Sequence, residues 1–424
     1  RMRVDNKWVD VPVYKRELLG AGCSLVGPAI VVEANATTVI DSGWTGSVNV
    51  KGHLILRCNT PSVNTSVDYD DRPDPVRLEI FNKLFMHIAE QMGTVLQKTA
   101  LSVNIRERLD FSCALFDAQG RLVSNAPHMP VHLGSMGESV RSVIAVNGSQ
   151  LGPSDSIMLN SPYHGGTHLP DITVVTPWFA ESERPLFFLA SRAHHADIGG
   201  ITPGSMPSDS RHIDEEGVLI DNFWLVQRGK FQLAATKALF CDGQYPARNP
   251  SQNIADLKAQ LAANQQGVKQ LEKAVERYGM ITVQNYLSFV RKNAETSVRR
   301  LVHSLHDSEF RYAMDSGEVI CVQISVNHKA KEATIDFTGT SVQSATNFNA
   351  PEAVTRAATL YVFRSLINED IPMNEGCLEP LKIIIPKGCM LSPCHPAAVV
   401  AGNVETSQCV TDCIYGAVGA LAAS

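Results

Sequence analysis

The sequence predicts an α+β protein built from a small β module, a linker and a large mixed domain, and three observations carry that expectation. Residues 1–58 hold short apolar runs parted by Gly, Asn and Asp. Residues 59–75 turn to Thr, Ser, Asn, Asp and Pro without apolar periodicity, and residues 76–424 mix long helical-period runs with strand-like segments. At 424 residues the chain also exceeds the size at which one hydrophobic core usually stops growing, so more than one unit is expected.

In the first part WVDVPVY, GPAIVVE, TTVIDSG and HLILRC read as strands. The second part opens with a helix over 76–100, where Leu78, Phe81, Leu84, Phe85, Ile88, Met92, Val95 and Leu96 recur at helical spacing behind Pro75, a residue suited to a first turn. From Phe111 to Pro207 the segments FSCALFD, SIMLN, ITVVTPWF and LFFLASRAHH are strand-like, and Gly, Pro, His and Asp fill the turns between them. Helices return over 254–278 and 282–306, with Gly279 punctuating a helical hairpin. GEVICVQISV and KEATIDFTG then predict a β-hairpin, followed by a helix over 352–367, a strand at LKIIIP and an apolar segment from Val404 onward. The missing initiator Met and the stop at Ala422, Ala423 and Ser424 read as cut ends.

Composition narrows the function classes. A hydrophobic share of 44% and a charged share of 19% are ordinary for a soluble globular protein, and no apolar run approaches the ~20 residues needed to span a bilayer. A net charge of -6 argues against nucleic acid, whose binding draws on clustered Lys and Arg, and leaves small molecules or proteins as partners. The ten cysteines form no CxxC pair and no signal-like opening precedes them, so a reducing cytoplasm is the expected compartment. Cys389 with Cys394, and Cys409 with Cys413, have ligand-like spacings, but buried free thiols are the commoner use of such residues.

The chemistry concentrates in one window. Seven of the thirteen histidines fall between His128 and His212, about a fifth of the chain. SPYHGGTHLPDITVV places His164, His168 and Asp171 in a Gly- and Pro-rich loop that leads into a strand, and SRAHHADIGG places His194, His195 and Asp197 where a later strand ends. Imidazole nitrogen and carboxylate oxygen are the ligands of a hydrolytic divalent-ion site, so His168, Asp171, His194 and His195 are the candidate metal ligands, for Zn, Mn or Fe. Adjacent strand residues point to opposite faces, which predicts that only one of His194 and His195 binds directly, with Asp197 orienting it. The bland alternative, histidines that satisfy local backbone groups, fits any one of them better than it fits the cluster.

Weaker signals surround this window. NIRERLDFSCALFD, residues 104–117, supplies Arg106 as a candidate clamp for a substrate carboxylate and Asp110 as a candidate catalytic carboxylate. GNVETSQ supplies Asn403 for substrate binding and Glu405 for catalysis, while NAPHMPVHLGSMGES adds His128, His132, Ser135 and Ser139. Solvated turns and helix caps are the competing readings of all of these. No GxSxG elbow occurs, and neither GxxxxGK followed by Ser or Thr nor a GxGxxG loop is present, so any ATP must bind outside this sequence.

On these residues the chain resembles the hydantoinase/oxoprolinase family, which also contains the acetone carboxylases. DPVRLEIFNKLFMHIAEQMGTVLQKTALSVNIRERLDFSCALFDAQGRLVSNAPHMPVHLGSMGES is similar to the opening of the hydantoinase B part, and HGGTHLPDITVV, RAHHADIGG, TNFNAP and GNVETSQ continue it in family order. GPAIVVEANATTVIDSGWTGSVNVKGHLIL resembles the closing β segment of the hydantoinase A part, which favours the branch in which both parts are fused. The resemblance implies residues 1–58 as the end of an actin-like half that binds ATP with Mg, 59–75 as linker, and 76–424 as a truncated metal-containing hydrolytic half. It places metal positions on His168 and Asp171 and on the pair His194 and His195. It further implies ATP-coupled opening of the lactam of 5-oxo-L-proline to L-glutamate by a homo-oligomeric parent protein. A hydantoin ring, a carboxylase component and an assembly subunit without activity are the alternatives.

Overall fold

Opposite faces of single strands are buried by different helices in the computed structural model, which describes residues 1–4, 7–59, 73–126, 128–369 and 371–420. The chain divides into two compact units, Arg1–Asp71 and Arg72–Ser424, and the fold class is α+β.

The first unit holds eight short strands: β1 (Met2–Val4), β2 (Lys7–Val9), β3 (Val13–Lys15), β4 (Ser24–Val26), β5 (Ala29–Glu33), β6 (Ala36–Ile40), β7 (Trp44–Val48) and β8 (Leu54–Cys58). β1 pairs with β2, and two three-stranded sheets run β3-β5-β6 and β4-β7-β8. Alternation along β5 buries Ala29 and Val31, and Leu25 and Ile40 close a small core over them. Strand β7 departs from expectation, because Thr, Gly and Ser in WTGSV give no apolar alternation. Of the predicted linker, residues 60–72 lie outside the described residues, as do Ala422, Ala423 and Ser424.

The second unit begins with α1 (Pro75–Thr99), one residue from its predicted span. Asp74 caps it, its Oδ1 accepting from the Val76 amide at 2.9 Å, and Pro75 occupies the first turn. A short α2 (Val103–Arg106) leads to β9 (Phe111–Asp117), β10 (Leu122–Asn125), α3 (Pro130–Asn147), β11 (Ser156–Leu159), β12 (Asp171–Trp178), β13 (Phe187–His194), β14 (Phe223–Gln227) and β15 (Lys230–Phe231). Then come α4 (Leu233–Cys241) and the long hairpin α5 (Pro250–Tyr278) and α6 (Met280–Ser304), whose joint Gly279 sits at φ +81°. The chain continues through β16 (Ser308–Ala313), β17 (Val319–Asn327), β18 (Glu332–Asp336), α7 (Glu352–Ser365), β19 (Leu381–Ile384), a π turn over Gly402–Thr406 and α8 (Ser407–Ala417).

The large sheet is antiparallel throughout, in the order β10-β9-β13-β12-β11-β14-β15. One face packs on α1, α5 and α6 through Cys113, Leu115 and Leu189 against Phe81, Phe85, Met92, Ala259 and Ala263. The other face packs on α3 through Ala114, Phe116, Phe188 and Ala190 against Met136, Val140 and Val143. Burial on both faces is why FSCALFD carries apolar residues at the consecutive positions Cys113, Ala114, Leu115 and Phe116 rather than in alternation. Each buried Phe contributes roughly 2–3 kcal/mol by leaving water. A smaller sheet, β16-β17-β18-β19, carries the predicted β17/β18 hairpin and shares a core with α6, α7 and α8.

One long helix has no counterpart in the sequence expectations. The window from Phe111 to Pro207 shows four strand-like segments with turns between them, yet it contains α3, whose buried Met136, Val140 and Val143 are interleaved with Gly134, Ser135 and Ser139 and so form a broken apolar stripe. The small residues there permit close approach: a Cβ on Gly134 would lie 2.4 Å from Ala357 Cα of α7.

Candidate metal centre

Strand register builds the site. β12 and β13 pair so that Asp171 faces His194 and Thr173 faces Arg192, and the next cross-strand pair, Val175 with Ala190, packs on α3. Side chains alternate along a strand, so Asp171, Thr173, Arg192 and His194 all belong to the α3 face. The first turn of α3 brings His132 to them, and the loop before β12 brings His168. That loop needs glycine: Gly165 has φ +90°, and a Cβ there would stand 2.4 Å from the Glu138 carbonyl carbon on α3.

Asp171 is fully buried and lies at the centre. Its Oδ1 is 3.1 Å from His194 Nδ1, while its Oδ2 is 3.1 Å from His168 Nδ1, 3.0 Å from His132 Nε2 and accepts from Thr167 Oγ1 at 2.9 Å. Candidate ligand atoms of His168, Asp171 and His194 all lie within 4.8 Å of one another. Asp110, half-buried, stands 3.8 Å from His194 Nδ1 and 3.9 Å from His132 Nε2. The residue before it, Leu109, has φ 56°, a left-handed conformation that costs a Leu on the order of 1 kcal/mol and sets the direction in which Asp110 leaves the α2 turn.

The electrostatics match the geometry. Burial raises the Asp171 carboxyl, but the charges of the adjacent His168 and His132 outweigh it and hold it well below the usual range. Burial pushes His168 down, with Asp171 opposing; for His194 burial works the same way, but Asp171 and then Asp110 outweigh it and its pKa is raised. Arg108 opposes protonation of His194. Burial lowers the Arg192 guanidinium to about 10 against the pull of Asp171, so it stays charged at neutral pH.

These residues fit a divalent cation. His168 Nδ1 is buried and makes no hydrogen bond, although Asp171 Oδ2 is only 3.1 Å away, because distance alone does not give hydrogen-bond geometry. A desolvated ring nitrogen aimed at a carboxylate with nothing to bond is what a ligand to a metal ion requires.

The structure brings some of the predicted residues together and separates others. His168, Asp171 and His194 form the cluster, and Asp110 borders it. His195 does not join them: it faces α5, with Nε2 3.1 Å from Gln260 Oε1 and Nδ1 3.2 Å from Asn253 Nδ2, because strand alternation turns it away from His194. Asp197 does not orient either histidine; its carboxylate accepts from Arg248 and from the Gly199 and Gly204 amides. His164 pairs at the surface with Asp221. Among the described residues no hydrogen bond or ion pair joins Arg106, Asn403 or Glu405 to the cluster. Arg106 is exposed at the end of α2, Glu405 is exposed on the π turn, and Asn403 has a buried Oδ1 without a partner. Arg192 is the site residue that sequence reasoning does not name, and His132 enters it only as one of the weaker signals. His132 sits four residues after His128 behind Pro130, a spacing that fits one face of a helix start, but the Gly and Ser between Met136, Val140 and Val143 break up the apolar stripe that would mark the helix.

Comparison with known proteins follows the same lines. The family profile Hydantoinase B/oxoprolinase matches residues 74–424. The chain is 44% identical over 447 residues to 5-oxoprolinase 1 of Arabidopsis thaliana, covering 99% of this chain and 35% of that protein. It is 44% identical over 424 residues to 5-oxoprolinase of Saccharomyces cerevisiae, covering 97% and 33%. It thus spans about a third of the length of these relatives. In fold it is similar to the ATP-dependent caprolactamase of Pseudomonas jessenii, with TM-score 0.72 and 22% identity over 81% of this chain and 60% of that one. It is also similar to nucleotide-free acetone carboxylase, with TM-score 0.71 and 15% identity over 84% and 49%. By profile and by identity, the chain belongs to the hydantoinase B/oxoprolinase family.

Proposed function

We propose that this chain carries the hydrolytic centre of an ATP-dependent cyclic-amide hydrolase that opens 5-oxo-L-proline to L-glutamate. The observation that carries the reading is the convergence of His168, His194 and His132 on the buried Asp171, in a chain of this family. An amide is a poor electrophile because resonance stabilises it. Moving the γ-phosphoryl group of ATP to the lactam oxygen removes that resonance. ADP departs at that step, the oxygen of water adds to the carbonyl carbon, and the C–N bond breaks as nitrogen takes a proton, which leaves γ-glutamyl phosphate. A second water then hydrolyses this acyl phosphate to glutamate and phosphate. Nucleotide handling falls to the part of the relatives' length that this chain does not span, since no phosphate-cradling loop occurs here. The chain by itself should show no saturable ATP binding in calorimetry.

His168, Asp171 and His194 would hold a divalent cation, zinc, manganese or iron, which supplies positive charge that acidifies water and polarises a carbonyl. Asp171 fixes the imidazoles around one point. Asp110, at the border of the cluster rather than in its centre, is the carboxylate placed to take the proton of the attacking water. Glu405, exposed on the π turn, has no comparable position. The substrate carboxylate calls for a cation; Arg108, whose charge bears on His194, is better situated than Arg106. Asn403 Oδ1, buried and unpartnered, offers an acceptor for the lactam N–H.

The test is His168→Ala in the full-length parent, with phosphate and glutamate release measured side by side. Glutamate formation should stop while substrate-triggered ATP hydrolysis persists. A proportional loss of both would place the cluster at the phosphorylation step instead. Replacing 5-oxoproline with a hydantoin distinguishes the two rings.

A further inference from the structure

We propose that Arg192 is the positioning residue of the cluster: one buried guanidinium that locks the segments bearing His132, His168, Asp171 and His194 into a single register. The inference rests on reading the cluster as a divalent-ion site.

The side chain of Arg192 is fully buried, which is rare for arginine and tolerable only when its donors are used. They are used on three different segments. Nε donates to Thr173 Oγ1 at 2.8 Å, on β12 two residues after Asp171. One terminal nitrogen donates to Ser135 Oγ, and the other to Ser139 Oγ at 2.8 Å and to the Gly165 carbonyl at 3.3 Å. Ser135 and Ser139 lie on successive turns of α3, with His132 one turn before Ser135, and Ser135 Oγ is itself 3.0 Å from the His132 carbonyl oxygen. Ser139 donates onward to the Gly165 carbonyl at 2.6 Å, closing a ring that contains the loop three residues before His168. Arg192 also stands two residues before His194, on the same face of β13.

The planar fork explains the residue type. Three acceptor directions on three segments match the fixed geometry of a guanidinium, whereas a lysine ammonium, a compact point charge, cannot span them. The same cation lies close enough to Asp171 to offset part of its buried charge. No atom of Arg192 is among the candidate ligands, so its influence runs through the ligands it aligns. Outer partners of this kind change metal affinity by roughly 10–100-fold when removed.

The experiment measures Mn(II) and Zn(II) affinity of the chain by competition with a chromophoric chelator, together with the melting temperature of the metal-free protein. Wild-type protein should bind one ion per chain. Arg192→Lys should bind about 10–100-fold more weakly, and Ser139→Ala, which removes one acceptor without touching charge, about tenfold more weakly. Val298→Ala, in a core that contains none of the cluster residues, serves as a variant of lowered melting temperature and should keep wild-type affinity. If affinity instead tracks melting temperature across all three variants, Arg192 is only a structural residue and the proposal falls. If Arg192→Lys does not fold, Ser139→Ala decides: wild-type affinity in that variant overturns the proposal. Absence of ion binding in wild-type protein would remove the divalent-ion reading and this inference together, whereas wild-type binding with unaltered variants removes the inference alone.

Discussion

Strands β12 and β13 carry buried polar groups on both faces, and His194 and His195, neighbours in sequence, fall one on each. On the α5 side partners are spread out: Gln260 donates to the Ile172 and Ser191 carbonyls at 2.9 and 3.0 Å, Asn264 donates to the Val174 carbonyl at 3.0 Å, and both His195 nitrogens have amide partners. What is left over there is acceptor oxygen, on Asn253, Asp256 and Asn264. On the α3 side three imidazoles converge on one carboxylate, and a ring nitrogen of His168 is left without a hydrogen bond. Distributed bonding to main-chain carbonyls fastens a helix to a sheet. Convergence on one buried charge makes a place for a cation.

The largest expected effects test that contrast directly. Asp171→Ala or His168→Ala should abolish stoichiometric divalent-ion binding, a loss of more than about 100-fold, while circular dichroism stays near wild type. His194→Ala should lose affinity to a similar degree, whereas His195→Ala should lower the melting temperature and leave affinity within about threefold. Equal losses for the two histidines would erase the distinction between the faces.

Glu216 tests the contrast in one side chain. Its Oε1 accepts from Ser210 and from the Val399 and Val400 amides, and its Oε2 is buried without a partner. Burial raises its pKa from 4.5 to about 7, with the hydrogen bonds opposing. A carboxyl with a raised folded pKa binds more protons folded than unfolded between those values, so its contribution to stability is greatest below about pH 4.5 and falls as pH rises through 7. The loss is on the order of 3 kcal/mol. Chemical denaturation at pH 5 and pH 8 should therefore show Glu216→Gln gaining on wild type at the higher pH; an identical gap at both would refute the assignment.

Gln260→Leu should cost about 2–3 kcal/mol, because the Ile172 and Ser191 carbonyls lose their donor inside the protein, and should leave ion affinity unchanged. A coupled loss of affinity would mean that the α5 side also sets the site.

The legibility of these features in the sequence follows their physical origin. Long helices such as α1, α5 and α6 declare themselves because one stripe is buried and repeats every 3.6 residues. The β17/β18 hairpin is equally plain. The split between His194 and His195 follows from strand alternation alone. By contrast, α3 mixes Gly and Ser with its buried Met136, Val140 and Val143, so its apolar stripe is broken up, and His132 and the serines that meet Arg192 stand out only as weaker signals in a Gly- and Ser-rich run. Arg192 itself looks like any charged residue at the end of a strand, since only the fold reveals that its donors reach three segments. Glu405 and Arg106 are charged members of motifs, and a motif does not say which of its charges turns inward.

The smallest predicted effect concerns that last choice. Arg106 and Arg108 occupy the same exposed turn, two residues apart, and Arg108 acts on the charge of His194. If a substrate carboxylate docks beside the cluster, then in the full-length parent Arg108→Ala should raise KM for 5-oxoproline about tenfold, a change of roughly 1.4 kcal/mol in binding, with kcat little altered, because a carboxylate anchor contributes equally to ground and transition states. Arg106→Ala should stay within about twofold, as expected of an exposed charge without a partner in the site. Arg108→Lys separates two roles. A point charge restores most of the KM if long-range attraction is what matters, and little of it if the paired N–H groups of the guanidinium grip the carboxylate. A KM rise in Arg106→Ala that exceeds the one in Arg108→Ala would reverse the assignment and move the substrate carboxylate to the α2 side of the turn.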